Sequence, residues 1–162
     1  MIRNKKHFYI WGTLSLLFMI IIFWQSGKPY QEQDIKPFLS DWVELSPEQL
    51  PKIEFTYDED FVTYREPYSF IEFFVRKAGH VSEFGLLTFF LIMTLRQTEW
   101  NGGLAVLIGG VISFIYALSD EWHQSMVPNR TGHLIDVYTF DLLGIVLVMG
   151  LVVVLMKIRR WD

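Results

Sequence analysis

The chain of 162 residues contains no cysteine, which excludes disulfide bonds, a thiolate nucleophile and cysteine-ligated metal sites. Charge is also scarce, at 20% of the residues, and the net charge of −4 provides no basic surface for nucleic acid. Apolar residues are plentiful instead: 51% are hydrophobic and 17% aromatic, a composition that excludes intrinsic disorder. Because these residues are gathered into blocks, the sequence indicates a small integral membrane protein.

Four segments are apolar and long enough to cross a membrane as helices, at about residues 8–25, 70–96, 103–124 and 135–157. A cleaved signal peptide is the alternative for the first segment, but no small-x-small cleavage site follows Trp24. Near the start of the second segment, Ser69 and Glu72 have the Ser-x-x-Glu spacing of a capping box. The sequence therefore predicts an all-α integral membrane four-helix bundle that forms one domain over residues 1–162.

The distribution of Lys and Arg predicts the orientation of the bundle. The N-terminus, the loop from Arg96 to Gly103 and the C-terminus, including Arg160, hold seven Lys or Arg residues and two acids, Glu99 and Asp162. Residues 25–75 hold eleven acids and four Lys or Arg residues. We therefore expect a multi-pass protein of the cell membrane with both termini cytoplasmic.

On that topology, residues 26–69 form an extracytoplasmic cap between the first and second spans. Proline and aromatic residues recur along this segment, and it has no long periodic stretch. This pattern predicts short helices near residues 34–41 and 46–50. A strand pair is expected around residues 53–64. A long connection of this kind is more often functional, or a lid, than inert, and the sequence leaves the role of residues 26–69 open.

Ionisable residues occur in three of the four spans at a similar predicted depth. At 1.5 Å per residue, Glu83 lies about 18 Å from the inner end of its span, and Asp120 about 24 Å from the inner end of the next. Charge at this depth is costly unless it is paired or hydrated, so it indicates a functional site. We expect one outward-facing polar site built from Arg76, Lys77, His80, Glu83, Asp120, Glu121, Gln124, Arg130 and Asp136.

Three strings carry a resemblance to a known family: RKAGHVSEFGLL at 76–87, YALSDEWHQSMVPNRTGHLIDV at 116–137 and DLLG at 141–144. They contain a basic residue before His-x-x-Glu, then Asp-Glu-x-x-Gln, Pro-x-Arg, and an Asp close to a Gly. On these motifs the chain resembles the VanZ-like family of bacterial membrane proteins. The resemblance implies a four-span envelope protein, whose namesake lowers susceptibility to the glycopeptide antibiotic teicoplanin. It implies no established reaction.

The spacing of two aspartates departs from the family pattern. Asp136 and Asp141 are five residues apart, where the pattern has four. On an α-helix, a spacing of five turns the two side chains to different faces. The sequence therefore leaves open whether Asp141 joins the site.

The chemistry of the polar residues has more than one interpretation. His80 and Glu83 form either a proton-handling pair or a structural ion pair with Arg76 or Lys77. No metal and no cofactor are expected, because the ligand spacing of closed metal sites is lacking. Metal-ligand chemistry is nevertheless available from His80, Glu83, Asp120, Glu121, His123, His133 and Asp136.

Three serines and two histidines near the predicted site are not expected to take part in its chemistry. Nucleophilic catalysis by Ser82, Ser119 or Ser125 lacks a nucleophile elbow or a recognisable triad context. His123 and His133 are expected on the surface at the outer mouth of the bundle.

These features predict a site for the headgroup of a lipid-linked cell-wall precursor or of a lipid-like glycopeptide, with membrane lipids as partners. The ligand-binding residues are predicted to be Arg76, Lys77, Gln124, Arg130 and Asp136. Acid, base or acceptor roles are predicted for His80, Glu83, Asp120 and Glu121. The alternative is a membrane hydrolase or transferase acting on polyprenyl-phosphate-linked or other envelope lipids. Transport is disfavoured, because the inner halves of the spans are almost purely apolar.

Overall fold

The computed structural model describes residues 1–130 and 132–159. Thr131, which belongs to the string at 116–137 that carries the family resemblance, lies outside these residues. Arg160 and Asp162, which entered the charge count, also lie outside them.

Four long helices account for most of the chain, and a smaller connecting segment joins the first two. The elements in order are α1 (Lys5–Ser26), α2 (Tyr30–Gln33), α3 (Lys36–Trp42), a short 3₁₀ turn (Pro47–Gln49), β1 (Glu54–Tyr57), β2 (Asp60–Thr63), α4 (Pro67–Leu95), α5 (Gly102–Gln124), α6 (Leu134–Asp136), a π-helical stretch (Val137–Asp141) and α7 (Leu142–Arg159). Helices α1, α4, α5 and the composite last helix are each long and apolar enough to cross a membrane, which confirms the predicted fold class.

The helix ends follow from local capping chemistry. The side chain of Asn4 accepts a hydrogen bond from the His7 amide (3.2 Å) and starts α1, and Asn101 accepts one from the Leu104 amide (2.8 Å) at α5. Helix α4 begins at Pro67, whose fixed φ suits the first helical position. The predicted capping box at residues 69–72 is therefore wrong, because both residues lie inside a helix that has already begun.

Helix α4 packs against all three other spans and forms the centre of the bundle. The first apolar core cluster lies between the spans and comprises Ile22, Phe84, Leu87, Ala117, Val137 and Ile145. A second cluster comprises Ile92, Val106 and Val152. Large apolar side chains on the outside of the bundle, such as Leu16, Ile20 and Leu147, are exposed, as expected for a surface that faces lipid.

Glycines allow the closest helix approach, between α4 and α7. A Cβ at Gly144 would collide with the Val81 carbonyl oxygen and would lie 3.1 Å from the Gly85 amide nitrogen. A Cβ at Gly85 would lie 3.4 Å from the Gly144 carbonyl oxygen. Small residues at a crossing point let two backbones approach, which is a common device of helix packing in membranes.

The π-helical stretch corrects the expected geometry of the last span. Residues five apart lie about 140° apart around an α-helix, which was the basis for placing Asp136 and Asp141 on different faces. In a π-helix the repeat is one residue longer, so positions five apart come onto one face. Both aspartates consequently face α4, where each approaches His80.

The connecting segment (residues 27–66) lies over one end of the bundle, which we call the covered end. Its short helices and its antiparallel hairpin, in which Phe55 is opposite Val62, agree with the elements predicted for residues 34–64. The Tyr57 hydroxyl donates to Asp136 Oδ1 (2.6 Å), and the Tyr30 hydroxyl donates to Glu72 Oε2 (2.9 Å). These bonds attach the segment to the last span and to α4.

The N-terminus lies at the opposite end, beside the loop between α4 and α5. Ile2 pairs with Thr98 in an isolated β-bridge, and the Arg3 amide donates to the Gln97 carbonyl (2.7 Å). The terminal ammonium forms an ion pair with Glu99 (3.3 Å). The basic N-terminus and the loop after α4 are therefore on the same side of the bundle.

We expect the variant Gly144→Ala to lower the free energy of unfolding by about 1–3 kcal/mol, because the new methyl group must push α7 away from α4. The measurement is reversible unfolding by SDS in mixed micelles, followed by tryptophan fluorescence. The matched control is Gly150→Ala on the same helix, where a Cβ would meet no atom within 4 Å. Equal effects of the two substitutions would show that the crossing is not tightly packed.

Candidate functional site

A cavity of about 300 Å³ lies at the covered end, between the spans and the connecting segment. Its wall includes eight of the nine residues predicted for the site: Arg76, Lys77, His80, Glu83, Asp120, Gln124, Arg130 and Asp136. The ninth, Glu121, is buried, with 2% of its surface exposed. The structure thus brings charges of both signs together from α4, α5, the following loop and α6.

The ion pair between Lys77 and Asp136 joins α4 to the last span. Lys77 Nζ lies 2.6 and 2.7 Å from the two carboxylate oxygens of Asp136, and both residues are buried. The ammonium group also lies over the rings of Tyr57 (4.4 Å) and Phe73 (5.1 Å). Cation–π contacts and a two-oxygen salt bridge together compensate the cost of removing this charge from water.

His80 lies between two aspartates of the last span. Its Nδ1 is 2.8 Å from Asp141 Oδ1, within hydrogen-bond distance, and its Nε2 is 3.8 Å from Asp136 Oδ2. Asp141 is fully buried, so the π-helical stretch has brought into the site a residue whose membership the sequence left open. His80 therefore forms no ion pair with Arg76 or Lys77 and does not contact Glu83 by a hydrogen bond among the described residues, because its hydrogen bond is to Asp141.

Arg76 belongs to a second network, on the side of α4 that faces the connecting segment. Its Nε donates to Glu72 Oε1 (3.2 Å), and one Nη donates to the Gln33 carbonyl (3.3 Å). The guanidinium lies 4.7 Å from the centre of the Tyr30 ring. Among the described residues its other Nη has no hydrogen-bond partner, so that NH₂ group and its two N–H donors remain for a ligand.

Arg130 ties the loop after α5 to the end of α1. Its Nε donates to Gln124 Oε1 (3.1 Å), while Nη1 is within 3.0 Å of the Ser26 carbonyl and 3.2 Å of the Lys28 carbonyl. Gln124 in turn donates from Nε2 to Asp120 Oδ2 (2.7 Å). Several donors of the predicted phosphate-binding arginine are therefore used in holding the cavity wall.

Three acidic side chains remain incompletely bonded. Glu83 lines the cavity and has no hydrogen bond or salt bridge to any of the described residues. Glu121 Oε2 accepts a hydrogen bond from the His133 amide (2.7 Å), whereas its Oε1 has no partner in the described part of the chain. The same is true of Asp141 Oδ2. These oxygens are the acceptors that a ligand, an ion or a proton would satisfy.

Ionisation outside the spans is also altered at this end. Burial raises the pKa of the Tyr57 phenol, and its hydrogen bond to Asp136 acts in the same direction. Burial lowers the pKa of Arg130, which nonetheless stays protonated at neutral pH. The hydrogen bond from Lys36 to the Tyr30 hydroxyl (2.8 Å) raises the pKa of Lys36. Burial also raises the pKa of the Tyr30 phenol. Tyr30 and Tyr57 are therefore protonated at neutral pH and donate hydrogen bonds to Glu72 and Asp136.

Sequence reasoning missed three contributors to the site: Tyr30, Tyr57 and Glu72. The four-residue spacing of Glu72 and Arg76 on one helix is a signal that could have identified that pair. The two tyrosines come from the connecting segment and gave no comparable signal, because their contacts depend on how that segment folds back.

The histidines expected on the surface are instead half-buried. His123 Nδ1 lies 2.9 Å from the Ser26 hydroxyl, and the His123 ring stacks on Phe23 with 4.1 Å between ring centres. His133 pairs with Asp58 (2.6 Å). Both rings thus fasten neighbouring segments to the covered end.

The serines considered as nucleophiles are placed unfavourably for that chemistry. Each is exposed and donates its hydroxyl hydrogen bond to a carbonyl of its own helix: Ser82 to Ala78, Ser119 to Tyr116 and Ser125 to Trp122. These bonds are typical of serine in a helix and need no catalytic explanation.

Comparison with known proteins identifies the family. The family model described as VanZ/LLP1 matches residues 11–156. This chain belongs to the VanZ/LLP1 family. The match covers most of every span and the whole connecting segment, whereas the motifs recognised in the sequence extend only over residues 76–144. Neither the curated proteins nor the solved structures contain a significant match.

In this VanZ/LLP1 protein one group of side chains has the composition of a metal site. His80, Glu121 and Asp141 each offer one ligand atom, and these atoms lie within 4.8 Å of one another. Two of the three belong to the set considered from the sequence, and Asp141 is added by the π-helical stretch. Imidazole and carboxylate ligands together suit Zn²⁺ or Mn²⁺.

We expect Lys77→Met to lower the free energy of unfolding by about 3–5 kcal/mol, because it leaves the buried carboxylate of Asp136 without its cation. The double variant Lys77→Met, Asp136→Leu should recover much of this loss, since no buried charge remains. SDS unfolding in mixed micelles measures both. Arg65→Gln, which removes the exposed cation of an ion pair with Glu54, is the control and should cost less than about 1 kcal/mol. A double variant no more stable than the single would contradict this explanation.

Proposed function

We propose that this VanZ/LLP1 protein acts in the cell envelope by binding the polar headgroup of a lipid-linked or lipid-like molecule. The ligand classes are a lipid-linked cell-wall precursor and a lipoglycopeptide such as teicoplanin. The observation that supports this most directly is the cavity itself, which combines cations and acids at one end of an otherwise apolar bundle. Such a site can hold a charged headgroup while the acyl or prenyl chain stays in the surrounding lipid.

The polar groups suit a phosphate or carboxylate that also carries hydrogen-bond donors. Arg76 has one donor group unused by the protein, and the cation of Lys77 lies in the same wall. Glu83 and Asp120, which also line the cavity, are acceptors for hydroxyl or amine groups. Ligand binding by Gln124, Arg130 and Asp136 would occur through groups already held in place by protein contacts, which is the preorganisation that favours affinity.

The apolar inner half of the bundle favours binding over transport. Below the cavity, the packing between α4, α5 and α7 consists of Ile92, Val106 and Val152 with further apolar side chains. A through-path for a polar solute needs polar lining groups on both sides of the membrane.

The test uses the protein reconstituted in phosphatidylcholine nanodiscs, with undecaprenyl phosphate in one arm and teicoplanin in the other, and native mass spectrometry as the readout. We expect Arg76→Gln and the double variant Glu83→Gln, Asp120→Asn to weaken binding by at least about tenfold, the equivalent of one lost charge-assisted hydrogen bond. The control is Asp41→Asn, Glu48→Gln, which changes the net charge equally at exposed positions. If the double variant Glu83→Gln, Asp120→Asn bound every envelope ligand as tightly as the wild-type protein does, the proposal would be contradicted.

A membrane hydrolase or transferase is the second candidate, and the unpaired carboxylate of Glu83 favours it. A carboxyl group that lines a ligand cavity without a protein partner can serve as a general acid or base. In the same nanodiscs this function predicts turnover of radiolabelled undecaprenyl phosphate that is abolished in Glu83→Gln or Asp120→Asn while binding is retained. If the wild-type protein bound undecaprenyl phosphate without turning it over, the enzyme function would be excluded and headgroup binding would remain.

We propose further that the covered end and its cavity face the outside of the cell and that both termini are cytoplasmic. The charge bias supports this, because the end that holds the N-terminus is basic and the connecting segment is acidic. Since the chain has no cysteine, single-cysteine variants give unambiguous labelling. In intact cells a membrane-impermeant maleimide should label Glu48→Cys, and should label Glu99→Cys only after permeabilisation. The reverse pattern would contradict this orientation.

A further inference from the structure

We propose that His80, Glu121 and Asp141 form a binding site for one divalent transition-metal ion, Zn²⁺ or Mn²⁺, next to the cavity. The three residues come from three different elements, α4, α5 and the π-helical stretch. Their ligand atoms lie within 4.8 Å of one another, close enough for one ion to contact all three after small side-chain movements. The inference goes beyond headgroup binding and does not depend on it.

Two unsatisfied oxygens point to a bound ion. Within the described residues, Glu121 Oε1 and Asp141 Oδ2 have no hydrogen-bond partner, although these residues are only 2% and 0% exposed. A buried polar atom without a partner carries a free-energy cost, and this cost is larger when the group is charged. A cation held by both carboxylates would remove this cost. The second oxygen of each carboxylate already has a partner, because Glu121 Oε2 accepts from the His133 amide and Asp141 Oδ1 bonds to His80.

The local charge balance agrees with a cation. Lys77 neutralises Asp136, which leaves the carboxylates of Glu121 and Asp141 with the imidazole of His80. These two negative charges in a buried setting need positive charge, and a dication supplies it. Of the other cations in the cavity wall, Arg76 is paired with Glu72, and Arg130 is held by Gln124 and backbone carbonyls. Glu83 and Asp120, which also line the cavity, add acidic groups rather than positive charge.

The surroundings of the ligands resemble those of metal sites. A histidine that binds a metal through one ring nitrogen commonly directs the other toward a carboxylate. With the ion bound to Nδ1 in place of the hydrogen bond to Asp141 Oδ1, His80 Nε2 would face Asp136 Oδ2, which lies 3.8 Å away. The amide of His133 orients Glu121 from behind. Three protein ligands leave at least one coordination position open for water or a ligand atom, as in catalytic rather than structural zinc sites. His80 also lines the cavity, so an ion there would adjoin the headgroup site.

The experiment is equilibrium dialysis of the purified full chain in detergent, first against chelator and then against Zn²⁺ or Mn²⁺, with bound metal measured by mass spectrometry. We expect a single ion per chain, and an affinity lowered by at least about tenfold in Glu121→Gln and in Asp141→Asn. The control is Glu72→Gln, an equally buried carboxylate that pairs with Arg76 and Lys36. A wild-type protein that retains no ion, or variants that bind as the wild type does, would overturn the proposal.

A second measurement serves if these variants do not fold. X-ray absorption of the zinc-loaded wild-type protein should show oxygen ligands and one imidazole nitrogen. A first shell with two or more imidazoles would instead indicate binding by other histidines, such as His7 or His133, and would overturn the assignment. The metal assay contains no lipid, and headgroup binding can be measured with chelator present. Failure of one proposal is therefore distinguishable from failure of the other.

Discussion

Pairing of charge inside an apolar environment is the constraint on which the covered end of this protein depends. Lys77 on α4 and Asp136 on α6 satisfy one another through two short contacts, and aromatic rings enclose the ammonium group. Because a lone charge at this position would be costly, the pair holds the last span at a defined rotation and height against α4. The cavity exists between elements whose positions this contact helps to determine.

One irregularity in the last span gives the site its second aspartate. A continuous α-helix would direct Asp136 and Asp141 to different sides, whereas the π-helical stretch from Val137 to Asp141 directs both toward α4. The extra residue disturbs the regular hydrogen-bond pattern, and such insertions occur mostly at functional sites. Here its effect is a histidine held between two carboxylates, an arrangement that a regular helix of the same sequence would not produce.

The connecting segment contributes to the site as well as covering it. Tyr57 donates to Asp136, and Tyr30 donates to Glu72, so two phenols from outside the spans bond to acids within them. Arg130 in turn donates hydrogen bonds to backbone carbonyls at the end of α1. The polar end is thus a network that involves every span, while the opposite half of the bundle is held by apolar packing.

The sequence by itself determined the four spans, most of their limits within a few residues, and the common depth of the charged groups, because hydropathy and helical rise are local properties. It could not assign the partners: His80 bonds to a residue 61 positions away, and Arg130 to carbonyls more than a hundred away. Those choices depend on the rotation of each helix and on the π-helical stretch. Only the packed tertiary structure decides them, since many rotations bury a similar apolar area but few also bring Lys77 to Asp136 and His80 to Asp141.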